Sequence, residues 1–424
     1  MEDRARHKFL KAAASISAGL VASATLSACG DSSGGVPVVN LYGGTSAVGF
    51  DKLIASCNKE ADGKYKIVGN LLPSDADGQR EQFVRRLAAK DDGLDLLGMD
   101  VTWTAEFAEA GWIRELTEEQ NSEATEDTLQ PTIDTAMWKD KLYGIPKHTN
   151  VQLLWYRKSL VPEAPKTWVE VLAASKKLKA EGKPYEIGLT AAQYEGYVVG
   201  FNTILASVGG TLVNEDSTKV TIDDKTVQAL GILKELATSG LASKSLSNSQ
   251  EPEVFAQLQN EEAAFIINWP YVLSAMNDAA PDIAKDLGYA KLPEFSAGEA
   301  PKATLGGMNF AISTYSKHPK EAFDAGMCLR TPEAQLQIAL EAGEPPVAPS
   351  VYENPEFQKA YPMGPEMLDE LKTAVPRPIT PLYQNISTLV STTLSPPSSI
   401  DPKKTAEELK DSINQTLDGK GILP

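Results

Sequence analysis

The run Val36-Pro37-Val38-Val39-Asn40-Leu41-Tyr42, followed by Gly43-Gly44-Thr45-Ser46, passes from apolar chain into a glycine turn. An amphipathic segment then reaches to about Glu60. Continuous apolar runs of this length read as strands buried on both faces, and the turn delivers the chain to a helix. The unit recurs. Lys66 to Leu72 reads as a strand and Gln79 to Ala89 as a helix; Asp95 to Asp100 is a third strand, and a helix runs through Trp103 to Ala110. Strands and helices in this alternation predict a helix-flanked, mostly parallel sheet in an α/β fold.

The pattern starts again at Gln152–Arg157, a strand, and Thr167-Trp168-Val169-Glu170, a capping box opening a helix to about Ala180. Ile187 to Ala191, a helix through Phe201, and the strand Ala263–Ile267 extend a second α/β unit. Leu287 to Ile312 reads as one strand-like stretch containing Gly306-Gly307, and a helical tail follows Pro332.

The chain has 424 residues, 42% hydrophobic and 23% charged, with a formal charge of −17. That composition fits a globular chain of two or three domains. The acidity excludes a nucleic-acid binder and adhesion to an anionic membrane by charge alone. Arg4, Arg6, Lys8 and Lys11 precede the uncharged stretch Ala12–Leu26, which is too short to span a bilayer and reads as an export signal over residues 1–28. Leu26-Ser27-Ala28-Cys29-Gly30 resembles a bacterial lipobox, which implies acylation of Cys29 and a flexible leader over residues 29–35. Export would put Cys57 and Cys328 in an oxidising compartment, where a disulfide is expected; two separate buried thiols are the alternative.

Enzyme signatures are absent from the sequence. After the signal only His148 and His318 remain, with no His/Cys cluster for a metal, no nucleophile elbow and no cofactor motif. Glu106 and Glu109 could be offered as the acid and base of a secreted glycoside hydrolase, but they read as the solvated face of a helix. Carboxylates, amides and rings do gather at strand ends: Gly44 after the first strand, Asp100 and Trp103 at the third, Asn150 at the crossover between units, and Asn268-Trp269 after a later strand. Ligands of open α/β sheets bind beyond those ends. Sugar hydroxyls pair with carboxylates and amides, and a pyranose face stacks on an indole. Trp112, Trp138, Trp155 and Trp168 are expected in the core, and Asp100 could be a helix N-cap.

Five stretches carry a more specific likeness. They are Asp100–Trp112 (DVTWTAEFAEAGW), Thr149–Arg157 (TNVQLLWYR), Asn268-Trp269-Pro270, Gly306-Gly307-Met308-Asn309 and Val375–Pro381 (VPRPITP). In order along the chain, they resemble the extracytoplasmic sugar-binding lipoproteins of ABC importers, in the maltose-binding-like group and especially its trehalose-binding members. The resemblance implies a two-lobe Venus-flytrap fold with residues 36–150 plus 291–342 in one lobe and 151–290 plus 343–424 in the other. It also implies capture of trehalose, or of maltose or another α-glucoside, by lobe closure, and delivery to importer permease subunits. It implies a monomer with no cofactor, held outside the cytoplasmic membrane by lipid. Asp100, Asn150, Glu251, Trp269, Gly307 and Arg377 are the sugar contacts it implies, with Gly44, Trp103 and Asn268 beside them.

Overall fold

A computed structural model describes residues 35–43, 50–295 and 298–420. The expected signal segment, Cys29 and Gly44 lie outside the described residues. Strand β1 (Val38–Gly43) pairs in parallel with β2 (Lys66–Leu71) and with β3 (Leu96–Asp100). The helix Phe50–Glu60 between β1 and β2 buries Leu53, Ile54 and Cys57 on one face. Helix Ala76–Ala88 starts where the Asp75 carboxylate accepts from Gly78 N–H, and it buries Phe83 and Leu87 one turn apart.

A short hairpin of β4 (Met137–Trp138) and β5 (Lys141–Leu142) precedes β6 (Gly144–Asn150). The chain then leaves this sheet. It enters a second one through β7 (Leu153–Arg157), which is buried at all five positions. The second sheet adds β8 (Glu186–Gly188), β9 (Ala263–Asn268) and β10 (Leu287–Ala290) in the order β10-β7-β9-β8. The chain returns to the first sheet as β11 (Gly306–Ile312), giving the order β2-β1-β3-β11-β6. The stretch 287–312 is therefore two strands in two different sheets.

Each sheet has apolar cores of its own. Val39, Leu41, Ile67, Leu96, Ile145 and Phe310 lie in one cluster, while Leu154, Ile187, Phe201 and Phe265 lie in another. The result is a two-lobe α/β fold finished by C-terminal helices, the last at Pro402–Leu417.

Each sheet keeps its strands in one direction except for a single reversed strand. β11 runs antiparallel to both β3 and β6, and β7 antiparallel to both β9 and β10. The cause is the path of the chain through the lobe boundary. Strands β3, β6 and β9 end at the edge where the lobes meet, whereas β7 and β11 begin there. Only two residues separate β6 from β7, so β7 sets out from the boundary that β6 has just reached, and β11 likewise starts its sheet there.

The expected disulfide is present: Cys57 and Cys328 are bonded across a separation of 271 residues. It ties helix Phe50–Glu60 to helix Pro319–Leu329 within the first lobe's packing.

Candidate ligand-binding site

The first residues of β11 organise the site. Met308 stands opposite Asp100 on one side and His148 on the other, Gly307 opposite Thr149, and Gly306 opposite Asn150. Just upstream, Leu305 N–H donates to Val375 O at 2.8 Å, which brings Arg377 to the same place. A side chain at Gly306 would come within 2.9 Å of the Trp269 ring and 3.3 Å of Asn150 Cβ. Gly307 has φ +130°, and a Cβ there would lie 2.4 Å from the His148 carbonyl, so only glycine fits. Asp100, Asn150, Trp269, Gly307 and Arg377, spread over 278 positions of sequence, are thus gathered around one strand start at the lobe boundary.

Arg377 is the electrostatic centre. Its side chain is 2% exposed. Nη2 donates to Asp100 Oδ1 at 3.2 Å and Nη1 to Glu195 Oε1 at 2.5 Å, while Nε has no hydrogen-bond partner in the protein. Glu195 also accepts from the Tyr383 hydroxyl at 2.5 Å and from the Ser387 hydroxyl. Burial lowers the Arg377 pKa, but the Asp100 and Glu195 carboxylates outweigh it and hold the guanidinium charged. Burial pushes the Glu195 carboxyl up in spite of Arg377. Asp100 doubles as an N-cap, accepting from Thr102 N–H at 2.9 Å and from its hydroxyl at 2.7 Å. A second link between lobes runs from Asp77 on helix Ala76–Ala88, which accepts from Gln384 Nε2 at 3.1 Å and from the Glu195 backbone N–H.

The indole has its own support. Glu251 accepts a long 3.5 Å bond from Trp269 Nε1 and a bond from the Tyr194 hydroxyl. Asn268 is fully buried, its amide nitrogen donating to Glu251 O at 3.1 Å and its oxygen accepting from Trp269 N–H at 2.8 Å. It braces its neighbours rather than facing open space. Trp103 goes to the core, 3% exposed, with its ring centroid 6.0 Å from Phe83 and from Phe107. The Trp103 ring, in the turn just after β3, faces the helix layer, which the strand-end position alone does not reveal. Trp155 and Trp168 are buried, as expected, whereas Trp112 and Trp138 are only partly buried.

Behind the site, Glu344 accepts from Lys147 Nζ at 2.7 Å and lies 3.1 Å from His148 Nδ1. Burial raises the Glu344 carboxyl, but His148 and Lys147 together outweigh it and hold it well below the usual range. Burial lowers the His148 pKa. Thr149 N–H donates to Pro345 O at 3.1 Å, so the segment after Gly343 runs beside the end of β6.

The acids proposed for hydrolysis are otherwise engaged. Arg80 grips Glu106 with Nε at 2.8 Å and Nη2 at 2.5 Å, and Glu109 accepts from Trp138 Nε1 and Lys139. Among the described residues no cluster of three or more His, Cys, Asp or Glu side chains could hold a metal ion. What the site offers is carboxylates, an amide, a guanidinium balanced by two acids, and an indole: groups that pair with hydroxyls and stack on a ring.

Residues 44–336 match the family pattern of the bacterial extracellular solute-binding proteins. The chain belongs to that family. Its members are solute-binding proteins rather than enzymes, and they work outside the cytoplasm. Among curated relatives, the solute-binding protein is 29% identical over 348 residues to a probable ABC transporter-binding protein of Deinococcus radiodurans, covering 78% of this chain and 81% of the relative. It is 22% identical over 384 residues to the galactooligosaccharide-binding protein of Bacillus subtilis, covering 88% and 87%. Among solved structures, maltose-bound MalE3 of T. maritima superposes with a TM-score of 0.83 at 26% identity, over 89% of this chain and 99% of that one. Among the described residues no helix is long and apolar enough to cross a membrane.

Glu195 and Tyr194 were not singled out in the sequence. A signal was there: Glu195 is the one charged residue in the helix Glu195–Ser207, which is otherwise apolar or small and almost wholly buried. A lone acid in such a helix needs a partner.

Proposed function

We propose that this solute-binding protein captures a neutral α-linked disaccharide, trehalose first, between its lobes, and delivers it unaltered to the permease subunits of an ABC importer. The observation that carries the reading is the convergence of Asp100, Asn150, Trp269, Gly307 and Arg377 on the start of β11. Asp100 comes from one sheet and Trp269 from the end of the other. A sugar touching both is held better when the lobes are together, and that difference drives closure. Arg377 already has two carboxylates, so an anionic ligand would meet no free cation there.

Lobe 1 is assigned residues 36–150 plus 291–342 and lobe 2 residues 151–290 plus 343–424. Cys29 is assigned the lipid that tethers the protein. Maltose is the second reading, favoured by the likeness to the maltose-bound structure.

Calorimetric titration against trehalose, maltose and glucose tests this. A micromolar dissociation constant, about −8 kcal/mol, is expected for trehalose, and Asp100→Ala or Trp269→Ala should weaken it at least about tenfold. Tighter binding of maltose reassigns the ligand. No binding of any sugar, wild-type affinity in both variants, or release of glucose on incubation with either disaccharide overturns the reading.

A further inference from the structure

Two adjacent residues at the start of one helix hold both arms of the site. Tyr194 has extended backbone, φ −163° and ψ −179°, and precedes helix Glu195–Ser207. Neighbouring residues in extended chain point opposite ways. The Tyr194 hydroxyl reaches Glu251, whose other oxygen receives Trp269 Nε1. The Glu195 carboxylate reaches Arg377, whose other nitrogen donates to Asp100. The stacking ring and the guanidinium therefore take their positions from one dipeptide.

Gly196 completes the device. A Cβ on it would lie 2.1 Å from the Tyr194 hydroxyl oxygen and 2.8 Å from Glu251 Oε1. The Tyr194 ring folds back across the helix start only because residue 196 has no side chain.

We infer that Tyr194-Glu195-Gly196 is the positioning element of the ligand site: Tyr194 fixes the Trp269 indole through Glu251, and Glu195 fixes Arg377. None of the three has to touch the sugar. This rests on the sugar-binding reading above for its affinity consequences, but not for its geometry.

Two measurements separate the inference from that reading. In nitrogen-15 spectra of the ligand-free protein, the Trp269 indole N–H signal is assigned by its loss in Trp269→Phe. Tyr194→Phe and Gly196→Ala should both move it while the signals of Trp112 and Trp138 stay. In titrations with trehalose, Tyr194→Phe should weaken binding about tenfold, the ratio for one hydrogen bond to a charged group. In a Trp269→Ala background the same change should have a clearly smaller effect, leaving only what passes through Glu251 itself, because the residue acts through the indole. An unmoved Trp269 signal, or losses from Tyr194→Phe and Trp269→Ala that multiply, overturns the inference. A wild-type protein that binds no sugar would overturn the functional reading, while the spectra would still decide the positioning role.

Discussion

Replacing Arg377 with Met keeps most of the side chain's volume and removes its charge, and it should cost about 3 kcal/mol of stability. Breaking a buried pair by removing one partner costs about 3–5 kcal/mol, because the other charge is left uncompensated. The two acids beside Arg377 differ in how exposed they are to that loss. Asp100 is 21% exposed and keeps the Thr102 N–H and hydroxyl as donors. Glu195 is 7% exposed and keeps the Tyr383 and Ser387 hydroxyls. Those donors place the cost at the lower end of the range, and nearly all of it falls on Glu195. Its carboxyl already titrates above the ordinary value through burial, and losing Arg377 raises it further. A carboxyl raised in the folded state contributes stability below its unfolded pKa and loses it as pH rises. The defect should therefore be small at pH 5 and full at pH 8. Urea unfolding followed by fluorescence at both pH values measures it. The double variant Glu195→Gln/Arg377→Met removes the stranded charge and should recover half or more of the loss at pH 8. If the double variant is no more stable than Arg377→Met alone, the assignment of the cost to Glu195 is wrong.

Burial pushes the Glu370 carboxyl up to about 7, with the Leu292 N–H and Lys291 opposing. Glu370→Gln should then match the wild type at pH 4.5 and exceed it by up to about 3 kcal/mol at pH 8.5 in urea unfolding; an equal gain at both pH values contradicts this. Cys57→Ser should cost about 5 kcal/mol by loop-closure entropy for so long a separation, read from the same unfolding curves, and a loss under 1 kcal/mol would show that the bond constrains little. Gly307→Ala should lower the melting temperature measurably, since its Cβ meets backbone. Gly306→Ala should chiefly weaken sugar binding, since its Cβ meets the Trp269 ring; equal effects of the two on melting would count against the different neighbours assigned to them.

The first unit of the fold could be read directly because each largely apolar run is followed by a helical segment: β1, β2 and β3 fall within about two residues of Val36–Tyr42, Lys66–Leu72 and Asp95–Asp100. Strand direction could not be read the same way. An apolar run has no arrow, and only the chain path through the lobe boundary fixes β7 and β11 as antiparallel. The cysteine pairing followed from compartment and number. In the candidate site, residues at strand ends, Asp100, Asn150 and Trp269, stood out by position. Trp103 stood beside them in sequence yet turns inward, because three residues of tight helical turn rotate its ring onto Phe83 and Phe107. Glu195 was hidden for the opposite reason: its partner Arg377 lies 182 positions away, and no local pattern couples them.

The place of β11 between β3 and β6 bears on how the chain comes to be folded. Its residues 306–312 are the wedge that joins two strand groups made much earlier, so β6 has no seat in its sheet until nearly three quarters of the polypeptide exists. Contacts that close such long stretches are slow to form. A nascent copy would stay open and threadable through most of its synthesis, locking only when the late strand slides home.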